Sequence, residues 1–189
     1  MTGAVRTEQR RQAKPALTAR IAGALYVLAV GAAVLAEFVI PGKLGFAGVL
    51  IPIACYTAVT LCLYFILKPV NSRIALLFAL SGLVGLAFEA VQRHPWGINI
   101  AMVFHGLYCL LIGYLILRST FLPRILGATM AFAGVVWLLY LSPSLAHRLS
   151  PWNTACGLLG EALPMLWLLA MGVNPQRWKE QSTAAKEPQ

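Results

Sequence analysis

Six apolar stretches constrain this chain more than any other feature: Ile21 to Ile40, Leu44 to Leu67, Ile74 to Val91, Ile98 to Leu117, Ile125 to Leu145 and Trp152 to Val173. Each is close to the ~20 residues that an α-helix, rising about 1.5 Å per residue, needs to cross ~30 Å of hydrocarbon. No water is present there to satisfy a peptide group, so such a segment must make its own backbone hydrogen bonds, as a helix does. The breaks between the stretches are short and hold helix-ending residues such as Pro41-Gly42, Pro69, Pro95, Pro123 and Pro151. Consecutive helices therefore turn back on one another. The expected fold is all-α, a six-helix transmembrane bundle. Residues 1–20 form a basic tail in which Pro15 is expected to break any early helix, and residues 174–189 form a C-terminal tail. Ser142-Pro143-Ser144 interrupts the fifth stretch, whose far end is expected to lie at the membrane interface.

Charge orients the bundle. The 15 Lys and Arg side chains against 6 acidic ones give a net charge of +9, which in a soluble protein would suggest a nucleic-acid partner. Their positions argue otherwise, because they sit at the ends of apolar stretches and in the tails, with no basic stripe and no recognition-helix or zinc pattern. Twelve fall in the two tails and in the breaks bounded by Lys68/Arg73 and Arg118/Arg124, while Lys43, Arg93 and Arg148 fall on the opposite side. Such an excess marks the cytoplasmic side, so both termini are expected in the cytoplasm of a multi-pass protein of the cell inner (plasma) membrane. With 59% hydrophobic and 11% charged residues, a soluble domain of this size would lack the polar surface to cover itself. The lipid bilayer is the partner the sequence demands, and nucleic acid is excluded. The first stretch also exceeds the ~7–15-residue core of a secretory signal, so no cleavage is expected.

The groups that can carry chemistry are few. The sequence has no Asp, and of its six Glu three lie inside apolar stretches: Glu37, Glu89 and Glu161. His105 is the only histidine within a stretch. An ionised group at a helix centre costs about 2.5–3.5 kcal/mol on an insertion scale, so these residues are candidates for a polar cluster with a function. Each follows a small residue by four positions: Ala33, Gly85, Ala101 and Gly157 precede Glu37, Glu89, His105 and Glu161 respectively. Residues four apart share a helix face, and small faces are where membrane helices touch, so all four groups should point into the bundle. Counted from the outer ends, all four belong to the outer half. Pro164 cannot bond to the carbonyl four residues earlier, at Gly160, and so loosens the helix beside Glu161.

Cys55, Cys62, Cys109 and Cys156 all lie in apolar stretches without a CxxC or a zinc-type spacing, and are expected to behave as small hydrophobes. No HExxH, P-loop, GxSxG or GxGxxG is present, so neither a metal nor any other cofactor is expected.

Five stretches, Arg20-Ile21-Ala22-Gly23-Ala24-Leu25-Tyr26, Leu63-Tyr64-Phe65-Ile66-Leu67-Lys68-Pro69, Phe104-His105-Gly106-Leu107-Tyr108-Cys109, Phe121-Leu122-Pro123-Arg124-Ile125-Leu126-Gly127 and Gly160-Glu161-Ala162-Leu163-Pro164, carry a resemblance. They resemble the DUF4386 family of bacterial polytopic membrane proteins, a group named for an unknown function. The resemblance runs from about Arg20 to Asn174. It implies a compact polytopic helical fold and carries no activity with it. The family pattern often places an acidic residue in the second helix, where this chain has Ala54-Cys55-Tyr56; a site built on that acid would be absent here or would use Glu37 or Glu89.

Three functions remain open on these residues. The first is a membrane binding or accessory protein whose small-molecule ligand the sequence does not name, acting alone, as a homo-oligomer or with a partner membrane protein. The second is a proton-coupled carrier of a small solute, suggested by Glu161, Pro164 and His105 at related depths. The third is an intramembrane enzyme using Glu161 and His105 as acid and base, which requires the two within about 3 Å, directly or through a water.

Overall fold

The computed structural model describes residues 2–35, 45–91 and 97–185. Glu37 lies outside the described residues, as do Lys43 and Arg93. Among the described residues the chain forms α1 (Thr2–Val34), α2 (Gly45–Leu67), α3 (Ser72–Val91), α4 (Ile100–Arg118), α5 (Arg124–Leu138), α6 (Pro143–Leu149), α7 (Trp152–Ala170) and α8 (Pro175–Ala184), with no strand. Six segments are long and apolar enough to cross a membrane, five within α1 to α4 and α7 and the sixth made of α5 continued to Leu141. The chain is thus an all-helical, multi-pass membrane protein. Its outward faces are apolar, with Leu76, Leu80, Phe132, Val135, Leu159 and Leu166 all exposed, as lipid as solvent requires.

The six long helices form a closed ring. Each packs against the next in chain order, and α7 closes the set against α1. Lipid supplies no hydrophobic drive to bring such helices together, so close packing has to do it, and small residues make it achievable. Along the α4–α5 seam Gly106 faces Gly134 and Gly113 faces Gly127. A Cβ added at Gly113 would come within 2.8 Å of the Gly127 carbonyl oxygen, and one at Gly127 would come as close to that of Gly113. The pattern repeats along the ring: Gly23 of α1 lies against the α7 backbone at Leu168 and Leu169, and Gly160 of α7 against Thr129 and Ala133 of α5. Half of the ring interior is filled by apolar side chains, among them Leu63, Leu67, Ile112, Leu126 and Met130. The other half, at the end where α1, α3 and α5 finish, holds the polar groups.

Three expectations need correction. Helix α1 does not break at Pro15 but runs through it. One lost hydrogen bond is tolerated because this part of the helix is docked: Pro15 and Ala19 are buried, and Ala16 lies against the end of α7 at Gly172. The fifth helix ends at Leu138, not Leu145, and passes through a 3-10 turn at Leu139–Leu141 into the separate α6. Pro143 is the reason, because its ring forces Ser142 out of the helical region, and the Ser142 side chain then caps the new helix at Leu145. Finally, part of the C-terminal tail is helical and docked. Gly172, at a φ of 69°, reverses the chain after α7, and Asn174 caps α8. Trp178 then donates its indole N–H to the Ile66 carbonyl at 2.8 Å, and the Thr120 backbone N–H and hydroxyl both donate to Gln181 at 3.0 Å.

The glycine seam is directly testable. Gly113→Val should lower the stability of the detergent-purified protein by about 1–3 kcal/mol or more, because the backbones of α4 and α5 must separate. Gly31→Ala, where an added Cβ meets nothing within 4 Å, should leave the unfolding midpoint unchanged or slightly raised.

Candidate functional site

A carboxylate inside a bundle must find donors, and Glu161 finds them on three other helices. Its side chain is 2% exposed. Oε2 accepts the Tyr26 hydroxyl of α1 at 2.5 Å. Oε1 accepts from the indole Nε1 of Trp137 on α5 and from Nε2 of His105 on α4, the latter at 2.9 Å. Cys109, one turn beyond His105, places its Sγ 3.6 Å from the same oxygen. Among the described residues His105 and Glu161 form the one ion-pair contact inside the ring.

Local sequence explains how these groups meet. Gly157, one turn before Glu161, leaves room for the Trp137 ring, and Gly160 lets α7 approach α5 backbone to backbone. Gly23 does the same between α1 and α7, so Tyr26, one turn further along α1, comes over Glu161. The α4–α5 glycine seam sets the spacing at which His105 and Trp137 share one acceptor, with their rings edge to face at 5.6 Å.

His105 connects this carboxylate to an open space. A cavity of about 190 Å³ is lined by Tyr56, Thr60, Glu89, His105, Tyr108, Trp137 and Glu161, together with small and aliphatic residues of α1, α3, α4 and α7. The imidazole stands between Tyr56, edge-on at 5.8 Å, and Tyr108, stacked at 5.7 Å. Its Nε2 is committed to Glu161, while Nδ1 has no hydrogen-bond partner among the described residues and the ring is partly exposed to the cavity. The Tyr108 hydroxyl accepts from Thr60 at 3.4 Å and keeps its own hydrogen free to donate. Chemically, the arrangement is an imidazole fixed by a carboxylate on one side and open to a small aromatic chamber on the other.

Of the four sequence candidates, Glu161 and His105 are in contact, and Glu89 lines the same cavity nearer its rim. Glu37 lies outside the described residues. Tyr26, Trp137 and Cys109 belong to the same network without having been singled out. The signal for the first two is present in the sequence, since Ala22 and Ala133 stand four residues before them, but neither side chain carries a formal charge near neutral pH to single it out. Cys109 is fully buried, as a small hydrophobe would be, yet it faces a carboxylate.

Together these features define a polytopic helical membrane protein with a polar centre buried in a closed ring. The model of the family described as "Domain of unknown function (DUF4386)" matches residues 88–172, from the end of α3 through α7, the part of the chain that supplies Glu89, His105, Cys109, Trp137 and Glu161. A protein of Archaeoglobus fulgidus named "Uncharacterized protein" is 26% identical over 136 residues, which cover 66% of this chain and 82% of that protein. No solved structure matches the chain.

The hydrogen bonds to Glu161 can be weighed by removing donors. Tyr26→Phe should cost about 1–3 kcal/mol, because it strips a donor from a buried carboxylate. Tyr56→Phe, whose hydroxyl makes no hydrogen bond among the described residues, should cost little by the same thermal-unfolding measurement in detergent.

Proposed function

We propose that the protein binds a small, flat, largely apolar molecule carrying an acceptor oxygen, in the cavity beside His105. One observation carries this reading: the ring interior is not filled at one end but leaves about 190 Å³ of space walled by aromatic rings. A dry apolar cavity of about 150 Å³ is known to take a benzene-sized guest. The hydroxyls of Tyr56 and Tyr108 can donate to the guest's oxygen. Nδ1 of His105 can as well when it carries a hydrogen, and Glu89 near the rim disfavours anions.

The charge distribution supports placing the protein in the cell inner membrane with both termini cytoplasmic, since twelve of its 15 basic residues then fall on the cytoplasmic side. On that orientation the cavity lies in the outer half of the bilayer. The carrier reading is less well supported, because the opposite half of the ring is packed with Leu63, Leu67, Ile112, Leu126 and Met130. A second reading, an intramembrane enzyme, is favoured by the 2.9 Å contact between His105 and Glu161. A carboxylate that fixes one imidazole nitrogen leaves the other to take or give a proton, which is the geometry of a general base.

The test uses 4-fluoroacetophenone, a flat ketone of suitable size, observed by ¹⁹F NMR against the protein in nanodiscs. The wild type should broaden the probe resonance saturably. Leu158→Trp, which fills the cavity, should abolish the effect, and His105→Phe should weaken binding about tenfold. Equal broadening by the wild type and Leu158→Trp would mean that the probe partitions into lipid, and the reading would be abandoned.

A further inference from the structure

The buried polar centre has a donor set that hydrogen bonding alone does not require. Three chemically different ligand atoms, the Nε2 of His105, the Sγ of Cys109 and a carboxylate oxygen of Glu161, come together inside the ring. The edges of the triangle they form are 2.9 Å from nitrogen to oxygen, 3.6 Å from sulfur to oxygen and 3.7 Å from sulfur to nitrogen. A tetrahedral zinc ion with nitrogen and oxygen at about 2.0 Å and sulfur at about 2.3 Å sets those edges at about 3.3, 3.5 and 3.5 Å. Two edges therefore agree within about 0.2 Å and the third must open by about 0.4 Å.

We propose that His105, Cys109 and Glu161 are three protein ligands of a zinc ion held in the membrane-embedded core. Three independent features support the assignment. The first is charge. A thiolate and a carboxylate together carry two negative charges, and a divalent cation cancels both, so the filled site is neutral where a net charge is costly. The second is the mixture of donors. Thiolate with imidazole disfavours magnesium and calcium, the carboxylate disfavours monovalent copper, and zinc accepts all three donor types in tetrahedral sites. The third lies around the ligands. Trp137 and Tyr26 donate to the Glu161 carboxylate, and such bonds orient a ligating carboxylate in metal sites.

The sequence expectation of no metal rested on the missing HExxH spacing. This site does not use that spacing. Its ligands are a His-x-x-x-Cys pair, one turn apart on α4, and a glutamate 52 residues after the cysteine, on α7. With Nε2 on the metal, the imidazole hydrogen belongs to Nδ1 and points a donor at the cavity, in agreement with an acceptor ligand there. The zinc assignment stands without that ligand.

The experiment takes the untagged full chain in nanodiscs, strips it with a chelator and titrates it with Co²⁺, a spectroscopic substitute for zinc. One Co²⁺ per chain should bind, giving a sulfur-to-cobalt charge-transfer band in the near ultraviolet and visible bands of tetrahedral intensity. One equivalent of Zn²⁺ should displace it. Cys109→Ala should remove the charge-transfer band and Cys55→Ala should keep it. X-ray absorption of the zinc-loaded wild type needs no variant, and should show one sulfur at about 2.3 Å with nitrogen or oxygen neighbours at about 2.0 Å. Absence of saturable Co²⁺ binding, a charge-transfer band that survives Cys109→Ala, or a zinc shell without sulfur would each overturn the assignment.

Discussion

A single carboxylate in a hydrocarbon environment organises this molecule. Glu161 sits on α7, roughly 14 Å along the helix from its start at Trp152, and an isolated charge at such a depth is unfavourable. What makes it tolerable is a set of donors that no single helix provides: a tyrosine hydroxyl from α1, an imidazole from α4 and an indole from α5. Hydrogen bonds to an ionised group are roughly twice as strong as neutral ones, so the demand of one acid favours one arrangement of four helices. Ring closure follows from this, because α7 can satisfy Glu161 only by touching α5 on one side and α1 on the other.

Glycine supplies the distances that this arrangement needs. The side chains that meet at Glu161 are large, and they reach it together only if the backbones behind them come close. That close approach occurs at Gly23 and Gly160 and along the seam of α4 with α5, while Gly157 makes room for the Trp137 ring itself. A ring held by contacts of this kind does not slide easily, since a side chain at those positions would collide with a neighbouring backbone or, at Gly157, with the Trp137 ring. Rigidity of the seams and filling of one half of the interior therefore point the same way, toward a fixed chamber rather than a passage that alternates between the two sides of the membrane. His105 is the link between the two parts of the design, with one nitrogen in the structural network and its ring in the chamber wall.

Much of the fold was readable because lipid imposes simple rules. Length and hydropathy suffice to mark a membrane helix, and α2 to α5 and α7 lie within or close to the apolar stretches, while α1 begins well before its own. Pro15 misled because a proline's local cost was weighed without the docking of Ala16 and Ala19, which lies in tertiary structure. The α8 helix was missed because its residues are polar and its anchors, Ile66 and Thr120, are distant in sequence. At the centre, the small residue four positions before Glu161 and before His105 correctly turned both inward. Their contact was not readable, since nothing in one sequence says which helices are neighbours in a ring. Tyr26, Trp137 and Cys109 were passed over for a chemical reason: they are neutral and common in membrane helices, and only the acid they surround gives them meaning.

The central claim, that Glu161 is the shared acceptor at the middle of the ring, is most directly tested by NMR of the indole N–H groups in ¹⁵N-tryptophan-labelled protein in nanodiscs. The chain has 5 tryptophans, and the Trp137 signal is identified by its loss in Trp137→Phe. The account requires that signal to lie downfield of the others and exchange slowly with solvent, and to move upfield in Glu161→Gln while the remaining indoles stay in place. A Trp137 resonance that lies among the others and does not respond to Glu161→Gln would contradict it.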